Sequence, residues 1–244
     1  YDGCTLETLK MNQWIRLYDQ EAPVLTCVNN LTVGTDAFGC DADIVLPVPA
    51  AEDACGSELT FVATVTNGVG QLVLTGGQYV WRDVPIGTWT VTWTVTDACD
   101  NAATCRYTVT VEDNVPPIAI CDHHTIVSLT EDMSAPYGLT EVPASAFDDG
   151  SYDYCGQVTL DVRRMESCIN FDWTTNGAGI DATPNGIVNS QDRGLIFRPN
   201  AIFSCCDVGA GPIMVELRVT DEAGNVNYCM VEVEVQDKLA PFVA

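Results

Sequence analysis

The chain has 244 residues, 47% of them apolar, with 34 acidic against 10 basic side chains and a formal net charge of −24. That length holds two domains of ordinary size, and the apolar share supplies their cores. The charge excludes the basic face that nucleic acid requires and disfavours an anionic membrane surface, while no apolar run reaches the roughly 20 residues needed to cross a bilayer.

In chain order, the alternating run Trp14-Ile-Arg-Leu-Tyr18 reads as a strand over 12–18, and it ends in Asp19-Gln-Glu-Ala-Pro23 with Cys27 beyond. Four further runs alternate and are rich in Thr, Val and Trp: residues 59–65, 71–75, 89–95 and 107–111. That composition suits a pleated, half-buried surface. Asn67-Gly68, Gly76-Gly77, Pro85-Ile-Gly87 and Asp97-Ala-Cys-Asp-Asn101 supply turns between them. Asp113-Asn-Val-Pro-Pro117 then repeats the first linker, with Cys121 beyond; 212–220 and 228–235 repeat the strand pair, and Asp237-Lys-Leu-Ala-Pro241 is a third linker. Residues 1–12 and 187–198 offer at most a helical turn or two. Self-similarity of this kind marks an array. The fold expected is all-β: tandem immunoglobulin-like β-sandwiches, rich in disulfides. Residues 1–20 read as the terminal strand of a preceding unit or as an inter-subunit strand. Residues 21–113 form sandwich one and 114–237 sandwich two, with an insertion at about 169–204; 238–244 lead into a following unit. Tyr1 opens the chain with no signal segment behind it, so the chain is read as a mature product or an excised piece.

The twelve cysteines show neither zinc-ribbon spacing nor a haem-attachment motif. Their even number and loop positions read as disulfides, hence a secreted, extracellular or cell-surface protein.

Asp97-Ala-Cys-Asp-Asn101 followed by Cys105, and Asp221-Glu-Ala-Gly-Asn225 followed by Cys229, resemble the Asp-x-x-Gly-Asn…Cys hairpin of hyalin-repeat domains. The first copy has Asp100 where that family has Gly. Val84-Pro-Ile-Gly-Thr88 resembles the turn that precedes this hairpin in the family. Phe147-Asp-Asp-Gly-Ser-Tyr-Asp-Tyr-Cys155, Val162-Arg-Arg-Met165 and Phe203-Ser-Cys-Cys-Asp-Val-Gly209 resemble a variant from very long secreted proteins of Bacteroidetes-type bacteria. The resemblance covers residues 21–237 and implies fold and place, with adhesion, surface arrays and fibres as the associated roles.

It also implies bridges. The family's linker cysteine pairs with its last-strand cysteine, which gives Cys27–Cys105 and Cys121–Cys229. Cys55 pairs with Cys99. The usual partner of Cys40 falls where this chain has Trp93, so Cys40 is assigned to Cys4. Cys155, Cys168, Cys205 and Cys206 remain. Vicinal cysteines seldom bridge each other, so Cys205 and Cys206 each reach back, one to Cys155 and one to Cys168, in either order.

Residues 181–192 carry oxygen side chains at loop positions 1, 3, 5, 9 and 12: Asp181, Thr183, Asn185, Asn189 and Asp192. Gly186 stands at the sharp turn and Ile187 offers its carbonyl. This is the layout of an EF-hand calcium loop, and it resembles dockerin loops in ending on Asp. Thr183 and Pro184 depart from that pattern, and no second loop occurs. The alternative is a polar insertion that turns at Asn185-Gly186.

Asp19, Glu21, Asp113 and Asp237 stand at junctions where cadherin-like arrays hold calcium, with Asp97 and Asp221 able to approach. The competing and favoured reading is that they cap turns through backbone amides, as do Asp148, Asp149 and Asp153. His123 and His124 are neighbours on a strand, face opposite sides and read as a solvated pair. Asn30-Leu-Thr32 fits the glycosylation pattern. No hydrolase motif or phosphate loop occurs, so the chain is read as non-enzymatic. The reading is therefore a structural repeat of a secreted bacterial fibre or stalk. Its partners would be neighbouring copies or repeats joined head to tail. The alternative is a surface adhesin or carbohydrate-binding module with a glycan or cell-surface ligand. Trp81, Trp89 and Trp93 are assigned to the core rather than to a binding platform.

Overall fold

The computed structural model describes residues 13–14, 18–54, 58–129, 140–165 and 197–238. Two compact units divide the chain: Tyr1–Val33 with Asp41–Val111, and Gly34–Cys40 with Glu112–Ala244. Among the described residues the only helical elements are 3-10 turns, at Ala144–Ala146 and Cys205–Asp207.

The first unit contains β1 (Val24–Thr26), β2 (Leu31–Gly34), β3 (Asp41–Val45), β4 (Ala50–Glu52), β5 (Thr60–Val65), β6 (Gln71–Thr75), β7 (Gln78–Pro85), β8 (Gly87–Thr96) and β9 (Ala102–Glu112). A four-stranded sheet runs in the order β2-β9-β8-β5 and a three-stranded sheet in the order β3-β7-β6, with β1 and β4 as a separate pair. This is an immunoglobulin-like sandwich. Period-two alternation produces its core directly: along β8, Val91, Trp93 and Val95 are buried and their neighbours are not. Trp93 lies opposite Cys105 in the register, and the rings of Tyr79 and Phe61 stand edge-on to it at 5.4 and 6.5 Å. Cys105 is bonded to Cys27. Trp81 is fully buried and donates its indole N–H to the Val69 carbonyl at 2.9 Å. Gly70 follows that carbonyl with φ of 56°, and a Cβ there would sit 2.3 Å from the Arg82 oxygen, so only glycine fits. Trp89 is half-buried and donates to the Pro85 carbonyl at 2.8 Å.

Pro85-Ile-Gly87, read above only as a turn, has a full strand before it. β7 was hidden because its alternation is broken at Asp83, which has φ of 54° beside the register shift between Ala42 and Ile44. The Asp83 amide donates to the Asp43 carboxylate at that bulge, at 3.1 Å.

The second unit contains β10 (His124–Ser128), β11 (Thr140–Pro143), β12 (Thr159–Arg164), β13 (Asn200–Phe203), β14 (Ile213–Thr220) and β15 (Val226–Gln236). Its main sheet runs β10-β15-β14-β12, with β11 and β13 paired separately. β10 lies parallel to β15, His124 opposite Glu232. Alternation again sets the faces: Val231, Val233 and Val235 are buried, Glu232 and Glu234 exposed. Phe147, Phe203, Leu217 and Val162 fill the core. The Cys121–Cys229 bridge closes it, with Cys229 opposite Leu217.

One charged pair is built into this core. Arg164 reaches Asp207 at 2.5 Å, donates to the Ile202 carbonyl at 2.8 Å, and lies over the Phe203 ring at 5.1 Å. Asp207 is only 3% exposed and also accepts from the Ser204 amide, closing a capping box on the 3-10 turn. On the outer face of β12 and β14, Asp161 pairs with Arg218 and Arg163 with Glu216, directly across the ladder. Both guanidiniums stack on Phe197, at 4.7 and 4.5 Å.

Removing one partner of a buried pair leaves an uncompensated charge, whereas exposed pairs contribute little. Asp207→Ala is expected to destabilise the chain by about 3–5 kcal/mol, and Asp161→Ala by at most about 1 kcal/mol. Chemical denaturation of both variants checks the order; equal losses would contradict it.

Candidate functional site

Each unit carries the same joint, built from a linker aspartate and the loop between its last two strands. In the first unit the loop joining β8 and β9 is held by Asp97. Its carboxylate accepts from the Cys99 amide at 2.8 Å, the Asn101 amide at 2.8 Å and the Asn101 side chain at 2.8 Å. The Asn101 side chain donates a second time, to the Asp19 carbonyl at 3.2 Å. In the second unit Asp221 accepts from the Asn225 amide at 2.8 Å and from its side chain at 2.9 Å, and Asn225 donates to the Asp113 carbonyl at 3.3 Å. Asp97 and Asp221 are buried. The loop requires a left-handed residue at its fourth position: Gly224 has φ of 92° and Asp100 has φ of 68°. This is why glycine is the ordinary choice, and why aspartate, among the better tolerated residues there, can replace it.

The linker aspartates also cap their own turns. Asp19 accepts from the Glu21 amide at 3.0 Å, and Asp113 from the Val115 amide at 3.1 Å. Asp148 likewise accepts from Gly150 and Ser151, and Asp153 from Cys155. The turn-capping reading of these residues therefore holds. Asp97 does approach Asp19: oxygens of Asp19, Asp53 and Asp97 lie within 4.8 Å of one another. In the second unit Asp113, Asp153 and the Cys155 sulfur lie within the same 4.8 Å. Hydrogen bonding from the Asn101 side chain, opposed by burial and reinforced by the Asn101 and Cys99 amides, holds the Asp97 carboxyl below its usual range.

Beside Asp153 is an aromatic cluster that sequence reasoning missed. Phe38 is 81% exposed, and its ring meets Tyr154 edge-on at 6.3 Å; Tyr154 meets Tyr152 at 5.5 Å. The Tyr154 hydroxyl pushes the Tyr152 phenol upward, with desolvation adding to it. The signal was the spacing Tyr152-x-Tyr154, which puts both rings on one side of an extended segment.

The bridges Cys27–Cys105 and Cys121–Cys229 are those the family resemblance implies, with Cα atoms 5.6 and 5.9 Å apart. Cys40 had been assigned to Cys4, and Cys155 to Cys205 or Cys206. The structure instead brings the Cys40 thiol to Cys155. Cys4, Cys55 and Cys168 lie outside the described residues, as do Asp181, Thr183, Asn185, Ile187, Asn189 and Asp192 of the calcium loop. His123 and His124 are exposed, and His124 stands 3.8 Å from Glu234. The Asn30 side chain accepts from the Thr108 amide at 3.0 Å.

No family model matches the chain. A stretch of 100 residues is 29% identical to part of the sushi, von Willebrand factor type A, EGF and pentraxin domain-containing protein 1 of Rattus norvegicus, covering 41% of this chain and 2% of that protein. Similar solved structures include human mucin-like protocadherin EC1-2, at TM-score 0.35 and 12% identity over 88% of this chain and 98% of that one. The titin I-band fragment I67–I69 aligns at TM-score 0.38 and 6% identity over 88% and 65%. Likeness at this level carries no argument of its own, and the sandwich architecture rests on the strand registers and cores above. The two bridges belong to an oxidising compartment.

A carboxyl depressed in the folded state contributes stability above its unfolded value, near 3.9, and that stability is lost as pH falls through the folded value. Asn101→Ala removes the largest cause of the depression at Asp97. The acid limb of the stability curve is expected to be shallower in the variant than in the parent; denaturation midpoints measured down to about pH 2.5 read this, since the limb spans the ordinary carboxylate range. Parallel limbs would contradict the assignment.

Proposed function

We propose that the chain is a load-bearing repeat of an extracellular fibre or surface stalk, of hyalin-repeat type and bacterial in kind, joined head to tail to neighbouring repeats or copies. The observation that carries this reading is the position of the bridges relative to the joints. Each unit is entered through a linker aspartate held by its own hairpin, and a few residues later a cysteine is bonded to the last strand. Tension applied along the chain therefore passes from the linker through the disulfide into the last strand and out to the next linker. The residues between the bridged cysteines, separations of 78 and 108, lie outside that path. A spacer that must keep its length under pull is served by such a shortcut. The exposed cluster of Phe38, Tyr152 and Tyr154 favours the second reading, an adhesin or glycan-binding module, because exposed aromatic faces suit sugars.

Pulling single molecules by their ends separates these readings from mechanics alone. At roughly 3.4 Å per residue, the oxidised chain withholds about 270 Å in the first unit and about 370 Å in the second, and reductant releases both. The same release with and without reductant would refute the load-bearing reading.

Calcium at Asp181, Thr183, Asn185, Ile187, Asn189 and Asp192 belongs to the same proposal, supported by the oxygen spacing around Gly186. Two carboxylates suggest a dissociation constant on the order of 10⁻⁴–10⁻³ M, as in extracellular modules. Calorimetry on metal-stripped protein should show calcium heat in the parent and none in Asp181→Ala. Silence from both at millimolar metal removes calcium from the proposal without touching the mechanical reading.

A further inference from the structure

In the second unit, three consecutive residues run alongside the segment that ends at Cys155. The Phe38 ring stands against Tyr154, the Gly39 carbonyl lies 3.8 Å from the Cys155 sulfur, and the Cys40 thiol, next in the chain, acts electrostatically on Cys155. Both cysteines are thiols in this structure. We propose that Cys40 and Cys155 are joined by a third disulfide, which fastens the 34–40 segment to the 148–155 loop.

The internal repeat explains why the partner comes from there. Asp53-Ala-Cys55 in the first unit corresponds to Asp153-Tyr-Cys155 in the second: Asp53 joins the cluster of Asp19 and Asp97, as Asp153 joins that of Asp113 and Cys155. The first hairpin carries Cys99 within Asp97–Asn101. The second carries Ala223 at that place, within Asp221–Asn225. Cys155 thus has no cysteine in its own hairpin to meet, and Cys40 stands beside it. The surroundings hold Cys155 as the neutral thiol. Desolvation first, then the Cys40 thiol and the charges of Asp113 and Asp153, push the Cys155 thiol well above its ordinary range. Closing the bond requires the two sulfurs at about 2.05 Å, and the Gly39 carbonyl beside the Cys155 sulfur puts the Cys40 backbone next to it.

The oxidant is a small-molecule or protein disulfide of the secretory environment. Because Cys155 is disfavoured as a thiolate, Cys40 attacks first: its sulfur bonds to one oxidant sulfur and the other leaves as a thiolate. The Cys155 thiol then gives its proton to water as its sulfur attacks that of Cys40, and the second oxidant thiolate leaves. Two cysteine thiols lose two electrons and two protons, and the oxidant disulfide is reduced to two thiols.

The test uses the full chain, produced in an oxidising compartment and alkylated without reduction. Digestion by an Asp- and Glu-specific protease, which cuts at Asp36, Asp41, Asp122 and Asp153, should yield a linked peptide pair containing Cys40 and Cys155. In Cys40→Ser, one new alkylated thiol should appear, at Cys155; in Cys40→Ser/Cys155→Ser, none. The inference is overturned if Cys155 is linked to Cys168, Cys205 or Cys206, or if Cys40 is linked to Cys4. It is equally overturned if both thiols are alkylated in the parent, including the case where added zinc then protects Cys155 as a ligand beside Asp113 and Asp153. These outcomes are independent of the load-bearing reading, which rests on the other two bridges.

Discussion

The bond between the segment that opens each unit and its last strand is the constraint on which the rest depends. Each unit must bring residues far apart in sequence into contact, and long loops cost entropy to close. Cys27–Cys105 and Cys121–Cys229 remove that cost from the unfolded chain, by roughly 4–5 kcal/mol each in the chain-entropy account. That sum is comparable with the whole net stability of an ordinary domain, about 5–15 kcal/mol. The valine-rich cores still supply the apolar burial that offsets the rest of the chain entropy. Trp93, placed opposite Cys105 and boxed by Tyr79 and Phe61, shows how the first core is organised around its bridge.

The acidic composition fits the same frame. Carboxylates occupy the outward positions of alternating strands, as Glu232 and Glu234 do on β15, or they serve the backbone in turns. The exceptions are informative. Asp97 and Asp221 are buried because each satisfies a whole hairpin loop, and Asp207 is buried because Arg164 neutralises it. Among the described residues, each of the buried carboxylates Asp97, Asp207 and Asp221 accepts from more than one donor, as burial of charge requires.

The long hairpins were legible in the sequence because eight to eleven alternating residues leave little ambiguity, as in β8, β9, β14 and β15. The linker capping was legible because Asx turns have a local cause. The short strands β1 to β4 and β10 to β13 were not: three to six residues carry too little periodicity, and their pairing is decided across the chain. The parallel alignment of β10 with β15 is such a case. Trp81 and Trp93 lie in the core as expected and Trp89 packs half-buried against it, while the exposed aromatics Phe38, Tyr152 and Tyr154 come from two distant segments and leave no local pattern. The meeting of Cys40 with Cys155 was invisible for the same reason. Residues 34–40 stand in sequence within the first sandwich yet belong with the second unit, and no pattern along the chain announces that.

The Gly76-Gly77 turn between β6 and β7 stands open to solvent, with nothing within 4 Å of where either side chain would be. Such tips are where proteases cut. Here the cut would fall inside the span enclosed by Cys27 and Cys105, so both ends of the nicked chain would stay attached to the same covalent ring. A molecule exposed to extracellular proteases would then tolerate breaks in its backbone without losing what lies beyond them. Cleavage in the linker between Glu112 and Cys121 falls outside both spans, and only the proposed Cys40–Cys155 bond would then hold the two parts together.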